Sequence, residues 1–147
     1  MASVFIDGSE ARISLAAGKR GKLFQMVIRY AAAVLTLSGT LALIFGLLIW
    51  AGAASNLVSM HMLLGILAVG SLWVIGIGQF VSPSGSWVIA VGALIVGVLT
   101  GILGLYQSSL MPGNSHWIIQ VTHLLLGVLT IGLGHMGASG YRKLRAE

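Results

Sequence analysis

Residues 30–53 read YAAAVLTLSGTLALIFGLLIWAGA, an apolar run in which no side chain carries a formal charge. The uncharged sequence continues beyond this run as far as Tyr141, and every Asp, Glu, Lys and Arg lies before or after it. A single helix needs about 20 apolar residues to cross the hydrocarbon core of a bilayer. The uncharged stretch therefore has room for several crossings and predicts an integral membrane protein.

The composition of the whole chain agrees with this prediction. Charged residues make up 7% of the 147 residues, whereas about 25% is usual in a soluble domain. The chain has no cysteine, which excludes disulfides, thiolate metal sites and iron–sulfur clusters. The net charge of +5 comes from basic residues that flank the apolar sequence. In that position they set membrane orientation, so we expect no nucleic-acid partner.

Short polar breaks divide the uncharged stretch into four apolar segments, at about 30–53, 57–81, 87–110 and 116–138. Each segment should be a helix, because backbone groups in lipid must form hydrogen bonds within their own segment. Linkers this short make neighbouring helices antiparallel. The sequence predicts an all-α, integral membrane four-helix bundle with up-down-up-down topology.

The basic residues predict the orientation of this bundle. The basic residues nearest the first and fourth segments are Lys19, Arg20, Lys22 and Arg29 before the first, and Arg142, Lys143 and Arg145 after the fourth. The positive-inside rule then places both termini in the cytoplasm of a multi-pass protein of the cell's inner (plasma) membrane. Residues 1–29 and 142–147 would be cytoplasmic tails around the bundle at 30–141. We expect the first tail to be disordered, with an amphipathic surface piece or a partner-binding arm as alternatives.

The chain also matches itself at an offset of 62 residues. HMLLGILAVG at 61–70 aligns with HLLLGVLTIG at 123–132, and six of the ten positions are identical. We interpret this match as a duplicated helical hairpin, with repeats at about 30–82 and 87–141. Two such parallel repeats are related by a pseudo-two-fold axis along the membrane normal. His61 and His123 should therefore lie at the same depth, near the outer surface, and face each other if the second and fourth helices are the inner pair.

Paired histidines inside membrane helices suggest a cofactor. Ionisable residues in spans are functional candidates, and neutral imidazoles are the usual axial ligands of haem iron. The carboxylates and thiolates that a bare metal ion would also need are missing. We predict that His61 and His123 ligate haem b, with another tetrapyrrole or no cofactor as alternatives. The glycines expected to make room for a flat macrocycle are Gly39, Gly65, Gly101 and Gly127.

A structural interpretation of the same residues stays open. A membrane histidine is often a hydrogen-bonded packing residue, and a glycine one turn away is often a close helix contact. His116 follows a polar loop and is seven residues before His123. It is either a loop histidine or, with Gln120, a contact for a haem propionate or a quinone. His135 is expected at the inner interface. Interhelical hydrogen bonds are expected for four amide side chains, those of Asn56, Gln79, Gln107 and Gln120.

His61, Gly65, His123 and Gly127, in a small four-helix membrane bundle, resemble the b-type membrane cytochromes, including the cytochrome b561-like group. The resemblance implies a bound haem and electron exchange with a quinone or a protein partner. Many such cytochromes hold two haems with four histidines. Here the offset of 62 aligns His135 with Trp73 and His116 with Ala54, so we do not expect a second haem within the chain.

Three functions follow from these features. The first is an electron-transfer subunit, a b-type cytochrome with one haem near the outer face. The second is an accessory or pigment-binding subunit of a larger respiratory or photosynthetic complex. The third, a small transporter or channel, is disfavoured because the spans contain no charge. Beyond the lipid bilayer, we expect a membrane or outer-face protein, or a second copy of the chain, as partner.

Overall fold

The computed structural model describes residues 8–143, and within that range it contains helices and no strands. The α-helices are α1 (Gly8–Trp50), α2 (Val58–Val81), α3 (Trp87–Tyr106) and α4 (His116–Lys143), with a short 3₁₀ turn at Ser55–Leu57. This confirms the all-α prediction and the number of long helices in the described part of the chain.

All four helices are long and apolar enough to cross a membrane. α3, the shortest, has 20 residues and a rise of roughly 30 Å, which matches the hydrocarbon core of a bilayer. Large apolar side chains point away from the other helices, as at Leu37, Ile66 and Ile77, which are 63–66% exposed. Such surfaces are stable against lipid and costly against water, so the chain is a multi-pass membrane protein.

α1 begins at Gly8, inside the segment 1–29 that was expected to be a disordered tail. The helix is continuous from Gly8 through the first apolar segment, and it contains 43 residues. Seven of the ten residues between 15 and 24 are Leu, Ala, Lys or Arg, which are good helix formers. The expectation of disorder is therefore wrong for residues 8–29, whereas residues 1–7 and 144–147 lie outside the described range.

Local hydrogen bonds determine where α1 and α3 end. Gly52 has a φ of +73°, and the amides of Gly52 and Ala53 donate to the carbonyls of Ile49 and Leu48. This is the Schellman arrangement, in which a left-handed glycine closes a helix, and it stops α1 at Trp50. α3 ends at Tyr106, short of the predicted residue 110, where the Ser109 hydroxyl and amide both bind the Tyr106 carbonyl.

The four helices pack around one inner pair. α2 contacts α1, α3 and α4, and α4 also contacts α1 and α3. Within the described range, α1 and α3 do not contact each other. α2 and α4 are therefore the inner pair, the condition under which the sequence predicted that the two histidines face each other.

One end of the bundle, which we call the packed end, is tightly closed. Leu35, Leu72 and Ala93, each no more than 1% exposed, belong to one core cluster. Glycines bring the helices close there: a Cβ built on Gly134 would overlap Leu35, and one on Gly137 would lie 2.7 Å from the Ile75 side chain. Small residues of this kind allow membrane helices to pack by van der Waals contact.

A buried amide joins three helices at the packed end. Gln79 on α2 donates to the Gly137 carbonyl of α4 at 2.6 Å, and its side-chain oxygen accepts from the Ser86 amide, just before α3, at 2.7 Å. This confirms the interhelical hydrogen bond predicted for Gln79. Ser86 also caps α3, because its hydroxyl accepts from the Ile89 amide.

Burial is unevenly distributed along the helices. Every fully buried residue of the described chain lies within 28–42 of α1, 68–79 of α2, 90–100 of α3 or 130–138 of α4. The remaining parts of the helices, which include both histidines of the predicted pair, have half-buried and exposed residues only. The bundle therefore has a closed end and a loosely packed end.

Candidate functional site

His61 lies near the start of α2 and packs against α1. Its Nδ1 is 2.9 Å from the Ala42 carbonyl oxygen, and a Cβ built on Gly46 would lie 3.0 Å from its Cε1. Because a carbonyl can only accept, Nδ1 must carry the proton. The neutral ring then keeps a lone pair on Nε2. A ring N–H bound to a backbone carbonyl is the usual way in which a metal-ligating histidine is oriented.

His123 lies on α4 and packs against α3. A Cβ built on Gly104 would lie 3.2 Å from its Cε1. Its Nδ1 is buried and has no hydrogen-bond partner. An imidazole nitrogen without a partner in an apolar environment is costly, so this ring is less firmly oriented than that of His61.

The two imidazoles meet between α2 and α4. Their ring centres are 6.1 Å apart, and the ring planes are inclined by 69°. Two imidazoles on opposite sides of one metal ion, each with a metal–nitrogen bond of about 2 Å, have ring centres roughly 6 Å apart. The angle between the two ring planes can take any value in such a pair, because each ring can rotate about the ligand–metal–ligand axis. The separation and inclination are therefore compatible with a shared metal.

The surroundings of the two histidines correspond in position and differ in bonding. Ala42 precedes His61 by 19 residues, and Gly104 precedes His123 by the same interval. Each residue lies against the ring of its histidine, yet only Ala42 accepts a hydrogen bond. Sequence reasoning missed Ala42, Gly46 and Gly104. The offset of 62 aligns Ala42 with Gly104, but Ala42 contacts its ring through the backbone carbonyl, which no residue pattern marks.

The four glycines expected beside the macrocycle fall into two pairs. A Cβ built on Gly65 or Gly101 would meet nothing within 4 Å, although both residues are half-buried. A Cβ built on Gly39 would instead lie 2.8 Å from Ile131, and one on Gly127 would lie 3.2 Å from Leu43. The contact between α1 and α4 is therefore filled by side chains at this level, whereas Gly65 on α2 and Gly101 on α3 have free space beside them.

The other sequence-predicted polar residues lie at separate places. His116, at the start of α4, is within 3.1 Å of the Leu110 carbonyl and so closes the loop before that helix. Gln120, one turn later, is half-buried. His135 lies 3.1 Å from the Thr36 hydroxyl. Because that hydroxyl donates to the Ala32 carbonyl, His135 donates to it from Nε2, and this bond joins α4 to α1.

The ligand set available to a metal is small. Within the described range, no group of three or more His, Cys, Asp or Glu side chains is arranged to hold a metal ion. A haem iron needs only two axial ligands, since the macrocycle supplies the other four. His61 and His123, with free space at Gly65 and Gly101, fit that requirement better than they fit a bare ion.

No family model, curated protein or solved structure matches this chain. The paired histidines and the packing around them are therefore the features that bear on function.

Proposed function

We propose that this chain is a membrane electron-transfer subunit, a b-type cytochrome that holds one haem between His61 and His123. The observation that carries the proposal is the approach of the two imidazoles to 6.1 Å between the inner helices. The bond from His61 to the Ala42 carbonyl adds to it, because it leaves the His61 Nε2 lone pair free for iron. The bound haem would supply one-electron redox chemistry.

The residues around the two histidines have different roles in the proposed site. Ala42 fixes the tautomer and direction of His61, and Gly46 and Gly104 let the two rings lie close to α1 and α3. A Cβ built on Gly65 of α2 or on Gly101 of α3 would meet nothing within 4 Å, so these two glycines would leave room for the macrocycle. The apolar helices around the site exclude water, which favours a low-dielectric redox centre.

The proposal includes the topology and the repeat. We infer an up-down-up-down bundle of two parallel duplicated hairpins, with both termini in the cytoplasm of the inner (plasma) membrane. Basic residues at 19–29 and 142–145 support that orientation. The matching intervals from Ala42 to His61 and from Gly104 to His123 support the duplication. The haem would then lie near the outer face, where His116 and Gln120 are available to a quinone or to a protein partner.

One observation favours the alternative of an accessory subunit without a cofactor. Ile131 and Leu43 fill the faces of Gly39 and Gly127, as expected if these glycines serve helix packing. In that case the histidines would be packing residues of a scaffold within a larger respiratory or photosynthetic complex. A pigment-binding subunit would use one of the same histidines as a single axial ligand.

The absorption spectrum of the detergent-purified, full-length protein separates these functions. We expect an intense Soret band and narrow α and β bands on reduction by dithionite. Red-shifted bands that do not respond to reduction would identify a pigment-binding subunit. A colourless protein from haem-replete cells would overturn the cytochrome proposal and favour the scaffold.

A further inference from the structure

α1 is much longer than a bilayer is thick. Its 43 residues rise roughly 64 Å, whereas the hydrocarbon core of a bilayer is about 30 Å thick. α2 and α4 contact α1, and its first buried side chain in the described range is Ile28. The part of α1 before Ile28 therefore extends beyond the apolar bundle as a single helix.

The two sides of α1 differ from Phe24 onwards, whereas the described side chains between Arg12 and Leu23 are all exposed. Ile28, Leu35 and Ala42 recur at intervals of seven and are buried against the other helices. On the opposite side, an exposed stripe recurs every three or four residues, as expected for one face of a helix. We call it the outward stripe, and it consists of Leu15, Lys19, Lys22, Met26, Arg29, Ala33 and Leu37.

The outward stripe changes character where the apolar sequence begins. Ala33 and Leu37 are exposed apolar residues at positions where α1 faces lipid chains. From Arg29 towards the N-terminus, the same stripe has three basic side chains, Arg29, Lys22 and Lys19, and two apolar ones, Met26 and Leu15. The nearest acidic residue, Glu10, is nine residues from Lys19, beyond the reach of an ion pair along one helix. The lysines on the stripe therefore have no acidic neighbour on α1.

We propose that the outward stripe from Leu15 to Arg29 binds anionic phospholipid head groups. Because this stripe continues the surface that meets the acyl chains, the molecules next to it are the lipids of the same leaflet. Lys and Arg can lay their aliphatic stems on apolar surface and extend their charges to phosphate groups. Basic residues beside a span attract anionic lipids in this way, and the attraction falls off within a Debye length. The proposal does not depend on haem binding.

The test is the binding of dioctanoyl-phosphatidylglycerol to the full-length, detergent-purified protein by calorimetry, with dioctanoyl-phosphatidylcholine as the neutral lipid. Two variants remove one charge each from the same helix, Lys22→Gln on the stripe near the bilayer and Arg12→Gln, which lies ten residues further out. We expect Lys22→Gln to raise the Kd for phosphatidylglycerol about fivefold at low salt, and Lys22→Arg to retain the parent Kd. Arg12→Gln should change it less than about twofold, because it is about 15 Å further from the head groups.

Binding of phosphatidylcholine should be the same for all variants, and added salt should weaken only the binding of phosphatidylglycerol. Equal weakening by Lys22→Gln and Arg12→Gln would mean that net charge alone attracts the lipid, and would overturn the proposed stripe. The same conclusion would follow if the parent protein bound both lipids equally. Circular dichroism of each variant verifies that the helices are intact.

Discussion

The packed end and the end that carries His61 and His123, which we call the histidine end, are built from the same four helices and differ in packing. At the packed end Leu72 is fully buried, and Gln79 joins three elements through its amide. At the histidine end, the described residues beside the two rings are half-buried or exposed apart from Ala42, and the Nδ1 of His123 has no partner. The packed end therefore contributes most of the packing that stabilises the fold, and the histidine end is where we propose that a ligand binds.

The largest expected effects come from substituting the two histidines, which also separates their roles. His61→Ala removes the oriented ligand and should lower the haem content about tenfold or more. His123→Ala should retain five-coordinate, high-spin haem on His61, because the Ala42 carbonyl still orients that ring. Absorption and electron paramagnetic resonance spectra distinguish the two states. Identical losses in both variants would contradict the unequal roles, and His135→Ala is the control that should retain the parent spectrum.

The next largest effect concerns stability at the packed end. Leu72→Ala should lower the free energy of unfolding by about 2 kcal/mol, since the cavity has no route to collapse in a tightly packed cluster. Leu64→Ala, a half-buried leucine near His61 on the same helix, should cost less than about half of that. Unfolding in mixed detergent micelles measures both. If Leu64→Ala lowered the free energy of unfolding more than Leu72→Ala, the histidine end would contribute more to stability than the packed end.

Gly39 and Gly101, which the offset of 62 aligns, should respond in opposite directions to the same substitution. Gly39→Ala places a Cβ 2.8 Å from Ile131 and should cost about 1 kcal/mol or more. Gly101→Ala meets nothing within 4 Å and should stabilise α3 by up to about 1 kcal/mol, because alanine favours helix over glycine. Thermal unfolding in detergent reports the sign of each change. Equal destabilisation would mean that the α2–α3 side has no free space.

The smallest effect is expected from the hydrogen bond between α1 and α4. Thr36→Val removes the acceptor of His135 and should cost roughly 0.6 kcal/mol, the average for interhelical hydrogen bonds in membranes. Thr122→Val is the matched control, because the Thr122 hydroxyl bonds only to the Ile118 carbonyl of its own helix. Double-mutant cycles with His135→Ala isolate the pair. A coupling energy near zero would mean that the hydrogen bond between His135 and Thr36 does not stabilise the bundle.

Hydropathy and spacing predicted most of the fold and less of the site. The uncharged stretch and its polar breaks predicted four long apolar helices, because lipid leaves the backbone no alternative. The helical course of α1 before Tyr30 was not predicted, since basic and glycine residues there give no clear periodicity. The sequence predicted neither the Ala42 carbonyl nor the contacts of Gly39 and Gly127. Every residue has a backbone carbonyl, so residue identity does not show which carbonyl accepts a hydrogen bond from a side chain. Whether a glycine faces a side chain or free space depends on tertiary packing.

The central claim is that His61 and His123 together hold one haem at the histidine end. The most direct test is a titration of haem into cofactor-depleted, full-length protein, followed by absorption, for the parent and for the double variant His61→Ala/His123→Ala. We predict saturation of the parent at one haem per chain with a six-coordinate, low-spin spectrum, and no saturable low-spin spectrum in the double variant. The same low-spin spectrum in both proteins, or no saturable binding by the parent, would contradict the account.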